Sequence, residues 1–118
     1  MVEINISQIA SKMGGDVDEF ARAFKIALFN GVVRDTRVDT GRLRGNWQTT
    51  VGEPAEGQLD RLDPSGRVVT EEILQTVQAD TVDWITNNIE YAKIWNERDG
   101  MVDRNVARIN RIAKEVAK

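Results

Sequence analysis

Val38-Asp39-Thr40-Gly41-Arg42-Leu43-Arg44-Gly45-Asn46-Trp47-Gln48 divides this chain into two regimes. The residues before it carry the spacing of a helix, and those after Leu43 begin to alternate like a strand. An Asp side chain accepts a hydrogen bond from the backbone two residues on, and Gly tolerates positive φ. Asp39-Thr40-Gly41 is therefore a compact way to stop a helix and turn the chain, and these three residues are assigned to a structural turn. Beyond it Leu43, Gly45, Trp47, Thr49 and Val51 share one strand face, and Arg44, Asn46, Gln48 and Thr50 share the other. The first strand is expected over residues 43–51.

Upstream, Val17, Phe20, Ala21, Phe24, Ala27, Leu28 and Val32 mark one buried helix face, with Asp16 and Glu19 as a capping-box-like start. Ala23, Ile26, Phe29 and Val33 widen that face beyond the stripe of roughly 100° that a lone surface helix needs. Such a helix is either central to the core or shared with a neighbouring subunit, which makes Phe29 and Val33 candidate interface residues. Gly31 inside it marks a close backbone approach. Ahead of the helix, residues 1–15 read as an N-terminal arm, with Val2, Ile4 and Ile6 alternating and a short helix after Ser7 ended by Gly14-Gly15.

Downstream, residues 53–67 hold both prolines of the chain, two glycines and four acidic side chains, Glu53, Glu56, Asp60 and Asp63. The expectation is a long, exposed acidic loop. Val69, Ile73 and Val77 predict a short helix over residues 68–78. Residues 81–86 alternate as a second strand, ended by Asn87-Asn88. Tyr91 to Trp95 reads as a helical turn whose aromatics belong to the core more than to a ligand platform. After Gly100, the residues Val102, Val106, Ile109, Ile112, Ala113 and Val116 form the apolar face of a terminal helix, with Arg104, Arg108 and Arg111 along another side. The predicted architecture is a single α+β domain over residues 1–118: a long N-terminal helix and a C-terminal helix on a small antiparallel sheet.

Composition narrows the chemistry. Among 118 residues there is no cysteine and no histidine, so disulfides, thiolate zinc sites, thiol nucleophiles and the usual neutral-pH base are excluded. No cofactor and no metal are expected, and an enzyme is disfavoured. No secretory leader is read in the first residues and no run approaches the ~18 apolar residues of a membrane span. A soluble protein with no membrane partner is expected. Carboxylates at Glu71-Glu72 and Asp80/Asp83 read as solvated surface. The basic cluster Arg34, Arg37, Arg42 and Arg44 could meet phosphates, but the chain is acidic overall, at net charge −3, and Trp47 is the single aromatic among them. Charge is also segregated. Residues 20–44 carry six basic against two acidic groups, residues 53–99 four against eleven, and residues 102–118 five against two. Alternating signs suit head-to-tail association.

Asp-Thr-Gly is also the signature of dimeric aspartic proteases, which would make Asp39 catalytic. Against this, Arg34-Asp35-Thr36-Arg37 is charged and continues a helix, where that family has a buried apolar strand. Arg42 replaces the small residue expected after Gly, and no second apolar strand with a Gly-containing loop comes after Val82.

The succession of motifs carries a further resemblance. Val38-Asp39-Thr40-Gly41-Arg42-Leu43-Arg44 comes after a long helix. Ile85-Thr86-Asn87-Asn88-Ile89-Glu90-Tyr91-Ala92 comes later, and Gly100-Met101-Val102 opens a terminal helix. Over residues 16–118 this order resembles the small neck or tail-completion (head–tail joining) proteins of long-tailed bacteriophages. The chain departs from that family after Ala92, where residues 94–100 are shorter and lack a proline. The resemblance implies a non-enzymatic virion protein, made in the bacterial host cytoplasm and placed in the neck. Its partners would be itself in a homo-oligomeric ring (a hexamer, alternatively a dodecamer) and the neighbouring portal-adaptor and tail-tube proteins. Genomic DNA would pass through the channel without specific binding. By extension Arg42, Arg44, Arg104, Arg108 and Arg111 are candidates for subunit contacts. Glu56, Asp60 and Asp63 are candidates for a loop that projects to the next protein or lines the channel. The competing expectations are a protein-binding adaptor domain and, third, the aspartic protease.

Overall fold

The computed structural model describes residues 17–116. The expected N-terminal arm lies outside the described residues. In chain order the elements are helix α1 (Val17–Asp35), a single helical turn α2 (Arg42–Gly45), strand β1 (Gln48–Val51), helix α3 (Arg67–Thr76), strand β2 (Asp83–Thr86), helix α4 (Ala92–Asp99) and helix α5 (Met101–Val116). The fold is mixed: helices around one two-stranded antiparallel sheet, pairing Gln48 with Thr86, Thr49 with Ile85, Thr50 with Trp84 and Val51 with Asp83.

The C-terminal part of the wide apolar face of α1 is used inside the chain, where α1 packs against α5 and α3, while Phe20, Phe24 and Leu28 are half-buried and Ala23 and Ala27 exposed. Phe29, Val32 and Val33 enter a core shared with Trp47, Val69, Ile73, Val77 and Met101. Phe29 and Val33 are 6% and 1% exposed, so in this conformation neither is offered to a neighbouring subunit. Gly31 does mark a close approach: a Cβ there would overlap Asn105 Oδ1 and stand 2.6 Å from Arg108 Nη2. Without a side chain at 31, α1 and α5 come near enough to bury Asn105, whose amide donates to Met101 O and to Asp35.

The first strand is shorter than the alternation predicts. Gly41 adopts φ 90, and its carbonyl accepts from Gly45 N at 2.8 Å, so Arg42 to Gly45 winds into a helical turn before β1 starts. Leu43, Gly45, Trp47 and Thr49 are buried, but so is Asn46, which the alternation places on the opposite face, and Val51 is 45% exposed at the strand's end. The second strand likewise begins at Asp83 rather than at residue 81. The turn is held from above by Arg44, whose guanidinium donates to Pro64 O, Arg34 O and Thr36 O at 2.7–2.8 Å.

The exposed loop expected over residues 53–67 is instead a strap fastened to the segment that leads into β1, running to residue 66 before α3 starts. Asn46 clasps its middle in both directions, accepting from Leu59 N at 2.7 Å and donating to Leu59 O at 3.1 Å. Arg61 donates to Gly45 O and Trp47 O and pairs with Glu72 at 3.0 Å. Asn88 holds the near end through Ala55 O and Gly57 O. Backbone polar groups that leave a sheet this small must find partners elsewhere, and these side chains supply them.

Candidate functional site

The first two motifs meet in space at residues 44 apart in sequence, and the third follows the second across the short helix α4. The Asn87 side chain donates to Leu43 O at 2.7 Å and accepts from Ile89 N. That bond ties the Asn-Asn segment to the turn, and Leu43 then packs with Ile89 and Ala92, flanked by Tyr91 and Trp95. Gly100, in the left-handed region, stops α4 by donating to Asn96 O, and Asn96 Oδ1 accepts from Val102 N to cap α5. Met101 is thereby drawn into the main core.

A cleft of about 710 Å³ opens beside this junction, lined by Arg37, the Val38-to-Gly41 turn, Leu43, Tyr91 and Trp95. The Arg37 guanidinium lies 3.8 Å from the centroid of the Trp95 ring and pairs with Asp99 through two hydrogen bonds. A cation placed over an indole and paired with a carboxylate makes an amphipathic wall. Tyr91 and Trp95 are therefore core residues on one side and cleft residues on the other.

The expected turn residues divide in role. Gly41 is the pivot: a Cβ there would meet Pro64 N at 2.5 Å, and its carbonyl also accepts from Asp63 N at 3.0 Å. Thr40 Oγ1 accepts from Arg42 N at 3.3 Å, the bond that the sequence suggests for Asp39. Asp39 itself is exposed and makes no hydrogen bond among the described residues. It stands on a turn directly after a helix, not at the end of a buried strand as a protease dyad requires.

The other candidates scatter. Arg42 reaches Gln58 within the chain at 2.8 Å, and Arg44 is committed to the carbonyls of Pro64, Arg34 and Thr36. Glu56 and Asp60 lie exposed on the strap. Asp63 does not project. It is 4% exposed, and Oδ2 accepts from Val69 N at 2.9 Å, capping the first turn of α3. Arg104 and Arg111 are exposed on α5, whereas Arg108 is half-buried beside Gly31.

Asp35, at the end of α1, has a shifted carboxyl. Burial raises it, but hydrogen bonds from Asn105 and Arg34 and the charges of Arg34 and Arg104 outweigh burial and hold it below the ordinary 3.8. Among the described residues no three acidic side chains gather into a metal site, and no helix is long and apolar enough to cross a membrane. Comparison with family models, with curated proteins and with solved structures finds no match.

Proposed function

We propose that this chain is a structural virion protein of the phage neck, forming a ring that joins the DNA-filled capsid's portal complex to the tail tube. The observation that carries this reading is the direct joining of the first two motifs, distant in sequence, in one packed junction. The Val-Asp-Thr-Gly-Arg-Leu turn and the Asn-Asn-x-x-Tyr-Ala segment are joined through the Asn87–Leu43 hydrogen bond, and the Gly-Met-Val helix start comes after them across the short helix α4.

Charge placement supports a ring. Glu56 and Asp60 stand exposed on the strap, and Arg104 and Arg111 stand exposed on α5, so an acidic surface of one copy can meet a basic surface of the next. Strap carboxylates left facing the channel would keep passing DNA from sticking. The test is reconstitution. In an infection lacking this protein, filled heads and finished tails accumulate separately, and adding purified protein joins them. Joined, infectious particles formed without it would overturn the assignment.

The cleft favours a second reading, an adaptor domain that holds a partner segment against Tyr91 and the Arg37–Trp95 stack. Trp95→Ala that abolishes a binary complex in solution while leaving head–tail joining intact would favour it.

A further inference from the structure

Among the described residues the outer edge of β2 has no backbone partner. Gly52 N donates to Val82 O at 2.7 Å, so with the observed register Thr50–Trp84 and Gln48–Thr86 are the pairs that exchange hydrogen bonds. The N–H and C=O groups of Asp83 and Ile85 must then point away from β1, and among the described residues no backbone group meets them. A two-stranded ribbon is marginal alone, and an edge is ordinarily blunted by proline, lysine or an outward charge. Thr81 to Thr86 holds no proline or lysine, and its one charge is turned in: the Asp83 carboxylate is bound by Lys25 Nζ at 2.7 Å and by Thr81. Val82 and Trp84, on the outward face, are 67% and 40% exposed.

We propose that the free edge of β2 is a two-fold docking surface for a second copy of this chain. Place the axis at Trp84, and Asp83 falls opposite Ile85 of the second copy, twice over. Those are the residues whose backbone groups point outward, so four hydrogen bonds close across the axis and the two sheets become one of four strands. Trp84 then faces Trp84 of the second copy, and Val82 faces Thr86. Charge agrees with this register. Asp80 comes opposite Asn88 of the second copy, and Lys93 borders the same surface as Trp84, Thr86 and Asn87. Asp80 and Lys93 are both exposed, and neither has a partner among the described residues. The contact is isologous and separate from the ring contact: alone it makes a dimer, and with a six-membered ring it makes two rings stacked as twelve copies.

The test is Trp84→Lys, which puts like charges directly opposite each other at the axis, followed by sedimentation and native mass spectrometry. Val82→Lys serves as a second variant, and circular dichroism checks the fold. The particle mass should halve, from two copies to one or from twelve to six. Asp80→Lys and Lys93→Asp should each weaken self-association roughly tenfold, and the double swap should restore it. The amides of Asp83 and Ile85 should gain protection from hydrogen exchange only when the larger species is populated. A mass unchanged by both lysine variants, a chain monomeric at every concentration, or protection of those amides in the dilute monomer would overturn the proposal. A six-membered ring untouched by Trp84→Lys would remove this contact and leave the ring. A dimer abolished by Trp84→Lys that never grows further would keep the contact and remove the ring.

Discussion

The indole Nε1 of Trp47 donates a hydrogen bond to Thr36 Oγ1 at 2.8 Å, with both side chains buried. The same hydroxyl donates to Val32 O at 2.7 Å. One threonine thus joins the end of α1 to the start of the sheet across the motif turn. Thr36→Val keeps the shape and leaves a buried indole N–H unpaired, so unfolding free energy should fall by about 1–3 kcal/mol. Thr36→Ser should keep most of it. Urea titration followed by tryptophan fluorescence measures both, and a valine variant as stable as the parent would contradict the linkage.

Gly41 and Asp39 should respond oppositely. Gly41→Ala forces a side chain into positive φ and against the Pro64 backbone, costing on the order of 2–4 kcal/mol. Asp39→Ala removes an exposed carboxylate with no hydrogen bond and should stay within about 0.5 kcal/mol. Thermal melts of the two variants, side by side, decide it.

At Gly31, helix propensity and packing oppose each other. Alanine is the better helix former by about 1 kcal/mol. Its methyl, however, would overlap the buried Asn105 side chain, and overpacking of that kind costs about 1–3 kcal/mol. Gly31→Ala should therefore destabilise, and adding Asn105→Ala should cost less than the two single changes together. A double-mutant cycle reads the coupling.

Asp35 should set part of the acid limb of stability. Its folded carboxyl titrates below the ordinary value because Asn105 and the nearby arginines favour the anion over the opposing effect of burial. The contribution is complete above the unfolded value and is lost as pH falls through the folded one, below about pH 4. Asp35→Asn should lower stability at neutral pH and flatten the decline below about pH 4. Denaturation midpoints measured across the acid range up to neutrality check the difference.

Local patterns are visible from the residues wherever a local rule governs. Val69, Ile73 and Val77, four apart, mark α3; Gly100 marks the break before α5; Gly31 marks the close helix approach. The errors lie where distant polar side chains decide. Nothing near residue 42 announces that Arg44 will gather carbonyls from Arg34, Thr36 and Pro64 around a separate helical turn. Asn46, Arg61 and Asn88 look like surface residues, yet they fasten the strap to the sheet. Asp63 looks like one more loop acid but caps α3. Arg37 and Trp95 are too far apart in sequence for their stacking, and so the cleft, to be foreseen.

The ring is tested most directly by native mass spectrometry of the purified protein across a concentration series. A ring-forming neck protein should give masses of six or twelve copies, with the twelve-copy species giving way to six in Trp84→Lys. One or two copies at every concentration, with nothing larger, would contradict the ring.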